Sequence, residues 1–142
     1  MTPETHPTED LIELIVVGAH LSGMPLNHEL VALDAKFLRN DATTADYRLF
    51  ELPGATPRKP GLLRIKAGAG ASIDVEVWAL SPAAFGLFVS RIPSPLGIGT
   101  LTLRSGASAK GFLVEEIAVR DARDISAFGG WRAYRQSVGN AA

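Results

Sequence analysis

The sequence predicts a single α+β domain built on a mostly antiparallel, barrel-like mixed sheet with two or three helices. Three observations lead there. Leu11–Val17 is an apolar run, interrupted only by Glu13 and rich in β-branched residues, the composition of a buried strand. Ser72–Leu80 alternates, with Ile73, Val75, Val77 and Ala79 on one face and Asp74, Glu76 and Trp78 on the other, which is the period of an extended chain. About seven strand-like segments stand against two or three helical ones without strict strand–helix alternation, the mark of an α+β domain with a mostly antiparallel sheet.

Taken in order, residues 1–10, MTPETHPTED, read as a disordered leader, polar and acidic with two of the nine prolines. The strand Leu11–Val17 breaks at Gly18, and a loop with Gly23 and Pro25 follows. Asn27 stands where a helix N-cap belongs, ahead of the helix-forming run His28–Leu33. Ala35–Leu38 and Tyr47–Leu52 read as strands separated by a polar turn, Arg39–Asp46. Pro53–Gly61 is a loop with three prolines, Leu62–Lys66 a short strand, and Ala67–Ala71, AGAGA, a turn. After Ser72–Leu80 comes Ser81-Pro82, an N-cap followed by proline at the first helical position, so Pro82–Arg91 is a helix with Phe85, Phe88 and Val89 inward. Ile92–Gly99, IPSPLGIG, ends it. Leu101–Leu103 and Gly111–Val119 flank Ser105-Gly106 as a hairpin. In Asp124–Arg135 the aromatics Phe128, Trp131 and Tyr134 recur every third position and dock one face on the core. The domain therefore spans 11–135, with a flexible tail at 136–142.

Composition narrows the function. A chain of 142 residues with 46% hydrophobic content buries a core without staples. The absence of cysteine excludes disulfides, thiolate nucleophiles and cysteine-based zinc sites, and fits a cytoplasmic setting. No basic start followed by an apolar segment marks a secretion signal, and no apolar run approaches the roughly 20 residues that span a bilayer. With 14 basic against 15 acidic residues, nothing points to a nucleic-acid or membrane partner.

The chemistry concentrates in the loop after the first strand. Gly18 and Gly23 let the main chain approach a ligand, and free N–H groups at a helix start favour an anion. The spacing matches neither a P-loop nor a dinucleotide fingerprint. His20, inside this loop, is either a general acid or base or a loop histidine bonded to a carbonyl. Glu76, mid-strand beside Trp78, either faces water or lines a pocket that raises its pKa. Asn27 is either simply the helix cap or a cap whose side chain, at a pocket mouth, also binds substrate. Ser22 has no Lys or Asp partner in a nucleophile spacing. Arg48 and Arg64 either clamp a carboxylate or are surface charges. His20 and His28 match no metal-ligand spacing, so no metal is expected.

Several segments together resemble one family. VVGAHLSGMPLN (Val16–Asn27), YRLFELPG (Tyr47–Gly54), KPGLLRI (Lys59–Ile65), the long run Ile73–Leu103, KGFLVE (Lys110–Glu115) and DISAFGGWRAY (Asp124–Tyr134) look like the C-terminal domain of allophanate hydrolase. The resemblance covers about Leu11–Arg135. It implies a γ-glutamyl cyclotransferase-like fold and a role in urea breakdown, in which an amidase domain hydrolyses allophanate and this domain promotes decarboxylation of the product, N-carboxycarbamate. The chain carries no Ser-Ser-Lys amidase machinery, so the amidase is expected on a partner chain, or the domain serves another substrate. A second copy of the chain is a further possible partner.

The resemblance implies no cofactor, since protonating the carbamate nitrogen suffices for loss of CO2. In that account His20 is the acid, Gly18, Ala19 and Asn27 hold a carboxylate with Leu21, Ser22, Gly23 and Arg48 around it, and Glu76 orients or tunes the histidine. Two other functions compete: a non-catalytic module that binds a carboxylate or docks an amidase, and a cyclotransferase acting on γ-glutamyl amines. The second is disfavoured because the loop reads Val17-Gly18-Ala19-His20 rather than Tyr-Gly-Ser, and Ser81–Arg91 holds no Asp or Glu.

Overall fold

The computed structural model describes residues 10–54 and 56–139. The leader proposed at 1–10 lies outside the described residues except for Asp10, as do residues 140–142 of the proposed tail. Among the described residues eight strands form two open sheets. They are β1 (Ile12–Val16), β2 (Lys36–Ala42), β3 (Tyr47–Glu51), β4 (Pro60–Arg64), β5 (Asp74–Leu80), β6 (Leu96–Thr102), β7 (Ser108–Val114) and β8 (Arg123–Asp124), with helices α1 (Asn27–Ala32), α2 (Pro82–Ser90) and α3 (Trp131–Ser137). One sheet has the order β2-β5-β1-β7-β6 and the other β4-β3-β8. All pairings are antiparallel except that of β1 with β7. The α+β class and the mostly antiparallel sheet agree with the sequence. The barrel does not close.

The two strands with the strongest apolar signal lie at the centre. Leu14, Ile15 and Val16 of β1 are fully buried, and β5 pairs with β1 on one side and β2 on the other. Both faces of β5 are covered, so Glu76 and Trp78 are buried rather than water-facing. Alternation in the sequence marked the strand but not its double burial, because a paired carboxylate and an indole tolerate burial when bonded.

Side chains stitch the two sheets together. Tyr47 of β3 accepts the Thr102 N–H of β6 on its hydroxyl at 3.0 Å. Buried Thr43 accepts the Ile73 N–H at 2.9 Å and donates to the Thr44 carbonyl at 2.8 Å. α2 starts as its sequence dictates: Ser81 Oγ accepts the Ala84 N–H at 3.1 Å, Pro82 follows, and Phe88 reaches the core. α3 buries Trp131 and Tyr134, while Phe128, in a 3-10 turn, remains 37% exposed.

Several boundaries differ from expectation, among them β4, which begins at Pro60 rather than Leu62, and β7, which begins at Ser108 rather than Gly111. β2 runs on through Arg39–Ala42, where a turn was expected. It is an edge strand, so Lys36 and Asn40 lie in solvent and Arg39 and Asp41 are half-buried while its backbone still pairs with β5. β6 begins at Leu96, inside the string expected only to end α2. Glu116–Val119 is a 3-10 turn beyond β7.

Candidate active site

The loop between β1 and α1 is wound by its own backbone. The Leu21 N–H donates to the Gly18 carbonyl at 3.0 Å, Met24 to Leu21 at 2.9 Å and Leu26 to Ala19 at 2.8 Å. Gly23 has φ of 81°, a left-handed conformation that glycine adopts without strain. Gly18 is demanded by space instead, since a Cβ there would lie 2.2 Å from Pro60 Cδ. Gly18, Ala19 and His20 line a cavity of about 190 Å³ together with Glu29, Lys59, Arg91, Phe88 and Phe112. Among the described residues no protein acceptor takes the N–H of these three loop residues.

His20 is the centre of this cavity. Its ring stacks on Phe112, with centroids 5.3 Å apart and planes 17° apart, and meets Phe88 edge-on at 5.0 Å. Its Nε2 lies 2.7 Å from Glu29 Oε1. Nδ1 has no protein partner among the described residues. Burial against the two phenyl rings pulls the His20 pKa below its ordinary value. Glu29 pulls the other way by hydrogen bond and charge without overcoming burial, and Lys59 adds to the lowering. The imidazole is therefore neutral near pH 7, with Nε2–H donated to Glu29 and Nδ1 carrying the lone pair.

Other candidates sit elsewhere. Glu76 does not reach His20. Its Oε1 accepts the Ser22 N–H at 2.9 Å, the Ser22 hydroxyl at 3.0 Å and the Trp78 indole at 3.1 Å, while Oε2 accepts Arg132 at 3.2 Å. The orienting carboxylate beside His20 is Glu29. Ser22 is thus occupied by Glu76, and its carbonyl accepts Arg132 at 2.6 Å. Leu21 is buried in the core. Asn27 is not the N-cap: Leu26 holds that position without a side-chain bond, and Asn27 lies in α1 with its amide donating to the His20 carbonyl at 2.9 Å. Arg48 is far from the cavity, pairing with Asp124 at 3.0 Å across β3 and β8. The cations that do line it, Lys59 and Arg91, have no acidic partner within 4.0 Å among the described residues.

Glu29, Lys59 and Arg91 were not singled out in the sequence. Glu29 stands nine positions from His20 and shares no period with it. Lys59 sits in a proline-rich loop, and Arg91 is the C-cap of α2. Only the tertiary fold brings the three together. No group of three or more metal-ligating side chains is found among the described residues, and no helix is long and apolar enough to cross a membrane.

Fold and loop define the class as a small α+β domain of γ-glutamyl cyclotransferase-like fold. A solved γ-glutamyl cyclotransferase superposes with a TM-score of 0.56 at 10% identity over 80% of this chain and 69% of that one, a likeness of fold alone. The chain belongs to the allophanate hydrolase C-terminal domain family, whose description matches residues 12–136. It is 42% identical over 135 residues to urea amidolyase of Saccharomyces cerevisiae, covering 93% of this chain but 7% of that protein. Allophanate hydrolase of Kluyveromyces lactis superposes with a TM-score of 0.86 at 39% identity, over 90% of this chain and 21% of that one. A uropathogenic E. coli-specific protein does so with a TM-score of 0.80 at 32% identity, over 93% of this chain and 98% of that one. The domain thus occurs both as a small part of long chains and as nearly the whole of a short one.

Proposed function

We propose that the chain binds a small dicarboxylated substrate in the His20 cavity and promotes the decarboxylation of N-carboxycarbamate in urea and allophanate breakdown. The observation that carries this reading is the His20–Glu29 pair, set between unpaired Lys59 and Arg91 and beside the free amides of Gly18 and Ala19. Two cations and a row of N–H donors suit a dianion. The amides of Gly18 and Ala19 hold one carboxylate, Asn27 fixes their loop through the His20 carbonyl, and Lys59 and Arg91 take the place first given to Arg48.

The dianion raises the His20 pKa by charge attraction, so Nδ1 takes up a proton. The bond between the nitrogen and one carboxylate carbon breaks, its electron pair stays on nitrogen, and nitrogen accepts the Nδ1 proton. CO2 leaves and carbamate remains. Glu29 holds Nε2–H throughout, which fixes the ring and stabilises the imidazolium. Amide hydrolysis is assigned to a separate amidase, and the setting to the cytoplasm.

The test is to add the chain to an amidase that makes N-carboxycarbamate from allophanate and follow CO2 and ammonia together. Acceleration of CO2 release, lost in His20→Ala, is expected. CO2 release unchanged by the chain, with malonate still bound by calorimetry, would replace this reading with that of a carboxylate-binding module.

A further inference from the structure

Arg135 of α3 carries a guanidinium into the protein interior, where its side chain is only 9% exposed. None of its five N–H donors is hydrogen-bonded among the described residues. Glu51 Oε2 is 3.6 Å from Arg135 Nη1, beyond hydrogen-bond length. That carboxylate is already committed, since Oε1 accepts the Tyr134 hydroxyl at 2.7 Å and Oε2 accepts Arg58 at 3.1 Å. Below Arg135 the Trp131 ring centroid lies 5.4 Å away. A buried guanidinium in this state lacks an acceptor that native interiors almost always provide.

The missing acceptor has a place. A cavity of about 270 Å³ lies between Arg135, Arg58, Trp131, Pro57, Met24 and Gly23. It shares no lining residue with the His20 cavity. We infer that this cavity is a second binding site, and that it takes a small monoanionic carboxylate held by Arg135 and Arg58.

Charge selects the ligand. Two guanidiniums against the single carboxylate of Glu51 leave one positive charge, which a monoanion neutralises and a water molecule does not. A dianion would bring its second charge against Glu51. A planar carboxylate matches the fork of a guanidinium. Met24, Pro57 and Trp131 give the remaining wall an apolar character suited to a short carbon chain. The volume lies below the usual range of about 300–1,000 Å³ for drug-sized ligands, so the occupant has few heavy atoms.

Titration of the full chain with sodium propionate at constant ionic strength, followed by proton–nitrogen correlation spectra, tests this. Saturable shifts are expected at the Trp131 indole and at the Gly23 and Met24 amides. Arg58→Ala and Arg135→Met should each weaken them at least about tenfold, and Lys59→Ala should leave them in place. Arg58 is exposed, and Arg135→Met leaves Glu51 with Arg58 and Tyr134, so both variants are expected to fold. Three outcomes overturn the inference: no saturable shift at Trp131, shifts that persist in both arginine variants, or inorganic phosphate binding there more tightly than propionate.

Discussion

His20 and Glu29 are joined by a 2.7 Å contact, yet the histidine stays harder to protonate than a free one, because the ring that makes the contact is buried between Phe88 and Phe112. Under the function proposed above, the pair would transfer a proton, its ring kept neutral by burial until an anion arrives. The titration midpoint of the His20 ring, read by NMR, is expected below about 6.5 in the free protein. Glu29→Gln should lower it further, and malonate should raise it.

The same shift sets a stability change. With the folded pKa below the unfolded one, the contribution of His20 is fully present above about pH 6.5 and is lost as pH falls through the folded value. Thermal unfolding between pH 8 and 5 should therefore fall more steeply for wild type than for His20→Ala. Equal slopes would show that burial does not perturb the ring.

Glu76 gathers three donors on one oxygen and Arg132 on the other. Glu76→Ala strands the Ser22 amide and the Trp78 indole and is expected to cost about 3 kcal/mol in denaturant unfolding. Glu76→Gln keeps its carbonyl oxygen toward Ser22 and Trp78 and turns its amide only against half-exposed Arg132, so about 1 kcal/mol is expected. A loss in Glu76→Gln as large as in Glu76→Ala would mean that the charge, not the acceptor, holds the loop.

Gly18→Ala places a Cβ 2.2 Å from Pro60 Cδ. The first residue of β4 or the loop must move, at a cost of about 1–3 kcal/mol. Malonate binding should weaken alongside, because the displaced loop carries the amides of the cavity. A fully stable variant with unchanged binding would place the anion away from this loop.

Arg48→Ala removes an exposed pair on the second sheet and is expected to change stability by less than about 1 kcal/mol and activity not at all. Lys59→Ala and Arg91→Ala should instead weaken malonate binding in calorimetry, each by about tenfold. The reverse pattern would restore Arg48 as the clamp.

How much of this was legible follows from the range of each signal. Local patterns were readable: the apolar run of β1, the alternation of β5, and the Ser81-Pro82 start of α2 each depend on neighbours a few positions away. The Gly18–His20 loop was readable for the same reason, as strand, glycine and turn in sequence. Glu29, Lys59 and Arg91 were not, since a site drawn from α1, the loop before β4 and the end of α2 leaves no spacing to find. Glu76 was found but misassigned, because a strand pattern says which face a carboxylate takes and not that Arg132 and Ser22 wait there. Asn27 has the chemistry of a cap, but the turns through Met24 and Leu26 supply the backbone acceptors at the start of α1, which frees its amide to hold the His20 carbonyl.

The bond from Arg132 to the Ser22 carbonyl spans 110 positions, and that length has a meaning for synthesis. A ribosome adding about 5–20 residues per second needs roughly 5–20 s to emit α3 after the loop. Early in that interval β1 is an apolar strand whose partners β5 and β7 have yet to follow, and until α3 arrives the loop has no latch. The nascent chain is therefore a natural client for chaperones, and the loop is latched only once α3 has followed it by 110 positions.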